Sequence, residues 1–475
     1  MGLADLKLFL PELYLLFLAL LFFAQSLWPS PARVNHLLAL WLSAAGVAVS
    51  VYALPLSGEL FFRSYRVDLF SQSFKVLIQL GLFLVIFIGR DLKSIDERLH
   101  PEYFMFMVLS SLGLTLMVSS VELLTIFIAM ELSSYSLYIL IPLRKQNFGN
   151  QMEAAIKYII FGAAATGVML FGMSYLFGLT QSTYLADLIQ KLPLVLSQPL
   201  AVVGLLLVLC GFFFKLAVIP FHFWTPDVYQ GAANETTTFI ATLPKLAGLA
   251  LLLRMVSLGG PDNLDLVRIL VLLAAVSMTF GNLVALVQRD IKRLLAYSSI
   301  AHAGYILLGV LTLDVTGYAA AFFHITAYLL MNLACFLVLC FISRQGEDIS
   351  LGDLSGLYKR SPLLAFTLAV GAFALAGIPP TAGFTGKLFL FTAALNQGHL
   401  ALVIIAAVNT AISIFFYLNL VRSAYGQDPE GRPDIVLSLS GKLLNVGLIL
   451  AILLLGTIPT WFFDLARTAC QSLIS

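Results

Sequence analysis

Charge is what this sequence has least of. Of 475 residues, 11% are Asp, Glu, Lys or Arg, where a soluble globular domain carries about 25%; an ordinary soluble domain is excluded. The net charge is +2 and the basic residues are scattered thinly, so the concentrated basic footprint of a nucleic-acid binder is missing and no nucleic-acid partner is expected. Cysteine is scarce as well. Cys210, Cys335, Cys340 and Cys470 show no metal, iron-sulfur or haem-attachment spacing. Three of the four lie in apolar runs and read as small core hydrophobes. The six histidines have neither an HExxH pattern nor a close pair in sequence, which argues against a metal site. Gly383-Phe-Thr-Gly386-Lys387-Leu388 lacks both the four-residue interval between glycines and the Ser or Thr after lysine that a phosphate loop requires. No cofactor is therefore expected in this chain. The first apolar run has no basic segment ahead of it and no small-residue cleavage site, so it reads as a retained helix.

What is present is hydrocarbon. The chain is 60% hydrophobic, and apolar runs recur from Phe9 to Phe463, each close to the roughly 20 residues that cross a bilayer core. About fourteen are countable, at 8–28, 35–55, 68–89, 102–120, 122–143, 152–178, 199–221, 236–257, 265–287, 294–312, 315–343, 362–394, 400–425 and 442–463. The fold class expected is an all-α polytopic membrane protein embedded in a lipid bilayer. Alternate loops on one side hold fifteen Lys and Arg, including Arg90, Lys93, Arg144 and Arg293; the other side, with both termini, holds six. The positive-inside rule puts the first set in the cytoplasm and both termini outside it, which suits an even number of crossings.

Two of the runs are interrupted. The seventh reads Leu216-Ala-Val-Ile-Pro220 and the twelfth Leu375-Ala-Gly-Ile-Pro379 followed by Pro380. Proline removes a backbone hydrogen bond and clashes with the preceding turn, so each helix should break near Pro220 and Pro379. Broken backbone is not tolerated against lipid, so both breaks should be buried or line a wet cavity. The two lie five helices apart, and an odd offset inverts topology. Two inverted five-helix repeats follow, each with a broken helix, as in transporters with ion sites at mid-membrane. The expected division is 1–100 (a three-helix segment), 101–260 (first half), 261–430 (second half) and 431–475 (a C-terminal helix).

Ionisable residues inside those runs are the functional signal, because each costs at least a few kcal/mol in hydrocarbon and by default marks an ion or proton path. They are Glu131, Lys157, Lys215, Lys245 and Lys387. Glu131 requires either a neutralising proton or a cationic partner, Lys215 or Lys157. A static ion pair that holds helices together is the competing explanation. A buried lysine is suited to releasing and regaining a proton, whereas one near a helix end can snorkel to the interface; Lys157 is more prone to this than Lys245 or Lys387. Lys75 and Arg254 stand nearer span ends and are expected at the interface. His302 and His324, in the tenth and eleventh runs, are candidates to relay protons between Lys245 and Lys387, or to be bonded singly to neighbouring carbonyls.

Several of these residues sit in recognisable motifs. Phe214-Lys215-Leu-Ala-Val-Ile-Pro220-Phe-His222-Phe-Trp-Thr-Pro226-Asp-Val-Tyr-Gln-Gly231-Ala, Met130-Glu131-Leu132, Lys245, the run from Arg289 through Lys292 and Tyr297 to His302, and Gly377-Ile-Pro379-Pro-Thr-Ala-Gly-Phe384 together resemble the antiporter-like subunits of complex I, the proton-translocating NADH-quinone oxidoreductases. The resemblance covers about 100–425. Lys387 stands where subunit M has glutamate and Asn332 where subunits L and M usually have lysine, and no long lateral helix follows, so within the family the chain is most similar to subunit N, the counterpart of mitochondrial subunit 2. One departure is Ala233-Asn-Glu235-Thr, where the family commonly has prolines; of a local entry group and an N-terminal helix charge stabilised by the dipole, the second is the expected role of Glu235.

The resemblance implies a bacterial inner-membrane subunit that moves protons, with Glu131 modulating Lys215, Lys245 holding the central proton, Lys387 passing it outward, and His302, His324 and Lys157 as relays. It implies NADH, FMN, iron-sulfur clusters and quinone in partner subunits, with subunits K and M as neighbours. Two other readings stand beside it: a subunit of a cation/proton antiporter or membrane-bound hydrogenase of the same superfamily, and a structural membrane subunit whose buried charges only fix packing.

Overall fold

The computed structural model describes residues 3–90, 92–145, 151–195, 198–259, 264–426 and 432–474. Among the described residues, eleven helices are long and apolar enough to cross a membrane. The other three expected crossings are Leu10–Ser26, Ile291–Val310 and a twelfth span split into Pro362–Ala376 and Ala382–Asn396. The ordinal span numbers used for the sequence therefore carry over. Four features differ from the sequence reading. A two-stranded hairpin, Gly58–Leu60 with Tyr65–Val67, joins spans two and three. A short helix, Leu185–Val195, follows span six. The last span is Leu439–Thr457, shorter than the run to 463 suggested, and a further helix, Thr460–Ile474, packs back on the bundle. Both added helices are amphipathic, so a hydropathy count passes over them.

Span eight, Asn234–Val256, is wholly buried in its apolar window and span eleven, Val315–Ile342, nearly so, while spans two, nine and thirteen are one-third buried. A helix that is apolar all round belongs either in lipid or at a bundle centre; here spans eight and eleven are the centre and the others ring them. Short polar caps start the spans. Asp68 accepts from Ser71 N at 2.7 Å, Glu122 from Thr125 N at 2.7 Å, Asp290 from Arg293 N at 2.8 Å and Asp314 from Gly317 N at 2.8 Å, satisfying amides that have no partner inside the helix.

The repeat is written in backbone contacts. Span four crosses span five where a Cβ on Gly113 would lie 2.6 Å from Ser133 N and 2.9 Å from Ala129 O; span nine crosses span ten where one on Gly281 would lie 2.6 Å from Ala301 N and 2.7 Å from Tyr297 O. All three residues are displaced by the same interval. Beside each crossing the chain makes a short antiparallel bridge, Leu123 N to Thr183 O in the first half and Ile291 N to Ile349 O in the second.

Both breaks use one device. The first half of span seven, Pro199–Leu216, ends with Ala217 at φ 63°, and that of span twelve with Gly377 at φ 85°. The following amides, Val218 N and Ile378 N, reach back to Phe213 O and Phe373 O at 2.9 Å each, the left-handed cap that ends a helix. Ala217 therefore corresponds to Gly377 and Pro220 to Pro380. The Leu-Ala-x-Ile-Pro similarity read from the sequence is one residue out of register with the structural repeat. The Ile219–Pro220 and Pro379–Pro380 peptides are cis.

Lys75 and Arg254 are not interfacial. Lys75 is fully buried against Glu12, Nζ to Oε1 3.0 Å, and Arg254 holds both oxygens of Asp68 at 2.9 Å. Their stems point inward to carboxylates that the helical count alone does not locate. Arg254→Leu takes from buried Asp68 its bidentate partner and leaves it only the longer contact with Arg66 at 3.7 Å, a loss approaching the roughly 3–5 kcal/mol of breaking a buried pair. The expected outcome is release of this chain from the purified assembly at lower temperature, read by native gel after stepwise heating.

Candidate functional site

Lys245 sits mid-way along span eight, and its Nζ donates to Leu216 O at 2.8 Å. Lys387 lies in the first turns of the second half of span twelve and donates to Leu375 O at 3.1 Å and Ala376 O at 3.0 Å. Each lysine thus reads the same feature in its own half of the chain, the carbonyls left free where a broken helix stops. These carbonyls are the negative end of a helix dipole and favour a cation beside them. Gly377 allows the second contact, since a Cβ there would lie 3.0 Å from Lys387 Cδ. Trp224 Nε1 takes Phe214 O at 3.1 Å at the first break, leaving Leu216 O to the lysine.

Between the two lysines runs a succession of polar rings. The Tyr328 ring is 6.0 Å from Lys245 Nζ, and the His302 ring lies 5.3 Å from that of Tyr328. His302 Nδ1 is 3.2 Å from His324 Nε2, the rings nearly parallel at 5.4 Å. His324 Nδ1 then faces Gly386, where a Cβ would come to 2.7 Å, one residue before Lys387. Lys387 Nζ stands 4.6 Å over the Tyr305 ring. On its other side His302 Nε2 is 3.4 Å from Tyr417 OH, which makes a very short contact with Ser298 Oγ. All of these groups are buried. The histidines had no close pair in sequence; folding makes them one.

Glu131 and Lys215 lie at the start of the row. Both are buried, yet neither takes part in an ion pair among the described residues. Lys215 Nζ and Glu131 Oε1 have no protein hydrogen-bond partner, and the same holds for Tyr328 OH, His324 Nδ1 and Asn332 Oδ1. Buried polar atoms left over in this way are the usual seats of ordered water. Span eight comes close to Lys215 at Gly248, where a Cβ would be 3.2 Å from Lys215 Cβ.

Lys157 is placed apart from this row. It is one-third exposed and paired with Glu153 at 2.7 Å and Asp227 at 2.6 Å, and Asp227 also takes Arg293 at 2.7 Å. It is not the partner of Glu131. Glu235 does lie in the first turn of span eight, as an N-terminal helix charge would, and it is buried there and accepts from Ser94 Oγ at 3.3 Å. Tyr328, Tyr305, Tyr417 and Ser298 were not singled out from sequence. Tyr328 was within reach, because His324, Tyr328 and Asn332 repeat every four residues on one face of span eleven; Tyr417, on span thirteen, left no such trace.

Residues 120–413 match the family described as NADH:quinone oxidoreductase/Mrp antiporter, transmembrane. NADH-quinone oxidoreductase subunit N 2 of Opitutus terrae is 50% identical over 460 residues, covering 96% of each chain. The chain belongs to the subunit N family of NADH-quinone oxidoreductases. The subunit N of Nitrosomonas europaea is 35% identical over 471 residues and 97% of both chains. Among solved structures, a chain of respiratory complex I from Thermus thermophilus superposes with a TM-score of 0.83 at 33% identity, over 97% of this chain and 99% of that one. A chain of the Mrp complex from Dietzia shares the fold, with a TM-score of 0.87 at 22% identity over 100% and 98%. As a subunit N family member the chain carries its buried polar row in a fold common to both kinds of complex.

Proposed function

We propose that this chain is a proton-translocating membrane subunit of NADH-quinone oxidoreductase, and that Lys215, Lys245 and Lys387 are the groups that hold the proton. The observation that carries this is the run of buried, exchangeable groups from Lys245 through Tyr328, His302 and His324 to Lys387, with each lysine on the free carbonyls of a broken helix. In this reading Glu131 biases Lys215 electrostatically. A proton on Lys245 Nζ leaves by way of Tyr328 and the histidine pair, one ring nitrogen donating while the other accepts, and arrives at Lys387. Lys157 acts at the rim, where its carboxylate partners compete for it, and not as an interior relay.

The basic loops face the cytoplasm and both termini face outward from a bacterial inner membrane. The chain divides near 260 into two halves, with 1–100 and 431–475 as additions. The redox groups, FMN and iron-sulfur clusters, and the sites for NADH and quinone belong to partner subunits, and subunits K and M flank this one. The antiporter and hydrogenase reading is set aside, because the relatives that match nearly the whole chain carry the name of the oxidoreductase subunit. The structural reading is tested directly. Lys387→Met in the reconstituted, fully assembled complex is expected to lower proton uptake coupled to NADH oxidation by about tenfold at the least, since a positioned proton-transfer group contributes roughly 10²–10⁴-fold. Unchanged uptake in an intact complex would mean that the lysine only packs helices.

A further inference from the structure

A second cluster of buried ionisable groups lies outside the row, and the function proposed above makes no use of it. Glu12, in the first turn of span one, and Lys75, in span three, are both completely buried, with Oε1 and Nζ 3.0 Å apart. Lys75 Nζ also donates to Tyr65 OH at 3.0 Å, from the hairpin that closes over them. Gln72 and Gln79 share the Lys75 face of span three, three residues before it and four after. Both are fully buried, and none of their four side-chain polar atoms has a protein partner. Glu12 Oε2 has none either, nor has Ser50 Oγ on the facing span two. One turn before Ser50, Gly46 makes room for Gln79, where a Cβ would come to 2.9 Å from Oε1.

Leaving one buried polar group unsatisfied costs about 1–3 kcal/mol. Two glutamines, a serine and a carboxylate oxygen left open together are not accounted for by helix packing, since apolar residues of similar size would fill the space at no such cost. They are accounted for if they surround water, which needs two to four polar partners. The cluster also has a way out. Two turns back along span three, about 10 Å at 1.5 Å per residue, Asp68 holds Arg254, and Arg254 lines an open cavity of about 730 Å³ together with Glu59 and Arg66. This is the face that carries the hairpin.

We infer that the first three spans hold a second proton-exchange site, centred on Glu12 and Lys75 and lined by water, which exchanges with the aqueous phase on the hairpin side past the Asp68–Arg254 pair. The step is a transfer across one contact: the N–H bond of the Lys75 ammonium breaks, an O–H bond forms on Glu12 Oε1, and the charged pair becomes a neutral one. The neutral form avoids the desolvation penalty of two buried ions. Tyr65 OH and water on Gln72 then connect the site to Asp68. Among the described residues no hydrogen bond or ion pair joins the site to Lys245 or Lys387, and it does not depend on the roles proposed for them.

Two measurements on the intact complex decide it. A high-resolution map of the wild-type assembly is expected to show ordered water among Gln72, Gln79 and Lys75; a dry cluster overturns the proposal. The variant Glu12→Gln/Lys75→Met keeps shape while removing both charges, and apolar or neutral replacement of a buried pair is tolerated by packing. It is expected to assemble and to lose about tenfold or more of its coupled proton uptake. Full uptake overturns the proposal and leaves a static pair. Should the double variant fail to assemble, Tyr65→Phe replaces it: this removes one hydroxyl and no charge, and is expected to slow uptake severalfold at unchanged assembly, with no change counting against the site.

Discussion

Lys245→Ala is expected to abolish most proton translocation by the reconstituted complex, about tenfold or more below wild type, with NADH oxidation falling in parallel because the two are coupled. Lys245 is the residue at which the two halves of the chain meet chemically. It is carried by the fully buried span eight, its Nζ rests on the free carbonyl of Leu216, and the Tyr328 ring leads from it to the histidine pair. Alanine removes the proposed proton carrier and leaves Leu216 O without a donor, a loss of about 1–3 kcal/mol that the remaining contacts of span eight can absorb. The complex should therefore assemble. The measurement is acidification of the vesicle lumen against NADH consumed, with subunit content checked by native gel. Lys245→Arg keeps a cation but one that does not release its proton. It should restore the packing and not the pumping, so recovery of pumping with arginine would point to a purely electrostatic role.

Gly383→Ala is expected to be as damaging to proton uptake as Lys387→Met, although it adds one methyl group. A Cβ at Gly383 would lie 1.7 Å from Ala374 O and 2.7 Å from Ala374 C. Both are backbone atoms of the first half of the same broken span, so no side chain can swing aside. The two half-helices must separate, and overpacking of this kind costs about 1–3 kcal/mol or more. The displaced segment includes Leu375 and Ala376, whose carbonyls hold Lys387 Nζ. The expected result is loss of the chain from the membrane fraction or, in any assembled remainder, loss of proton uptake to the level of Lys387→Met. Wild-type behaviour of Gly383→Ala would mean that the two halves of span twelve are not packed as described.

Much of this was legible in the chain. Length of apolar run and scarcity of charge dictate a bundle of membrane helices, because a backbone in hydrocarbon must satisfy its own hydrogen bonds. Proline at 220 and at 379–380 dictates that spans seven and twelve are interrupted. Lys215, Lys245 and Lys387 announce themselves because a cation in an apolar run is costly wherever the run is placed.

Partnership was not legible. Lys75 and Arg254 were read as interfacial from their distance to span ends, and both proved buried on carboxylates, Glu12 and Asp68, that are remote in sequence. For Lys157 the sequence leaves both a relay and a snorkelling lysine open, and only the structure shows its partners, Glu153 and Asp227 near the surface. His302 and His324, on different helices, became neighbours because span ten packs on span eleven. Even the repeat was read one residue out of register, since Leu-Ala-x-Ile-Pro is a match of letters, whereas the left-handed caps at Ala217 and Gly377 are a match of backbone.

The sequence by itself determined the solvent of this protein, the number of its crossings and the residues that are expensive to bury, because each of these follows from local transfer free energy summed along one helix. Only the tertiary structure decided which expensive residues face one another, because a span's neighbours are chosen by close approach at positions such as Gly113 and Gly281, and that choice is a property of pairs of surfaces.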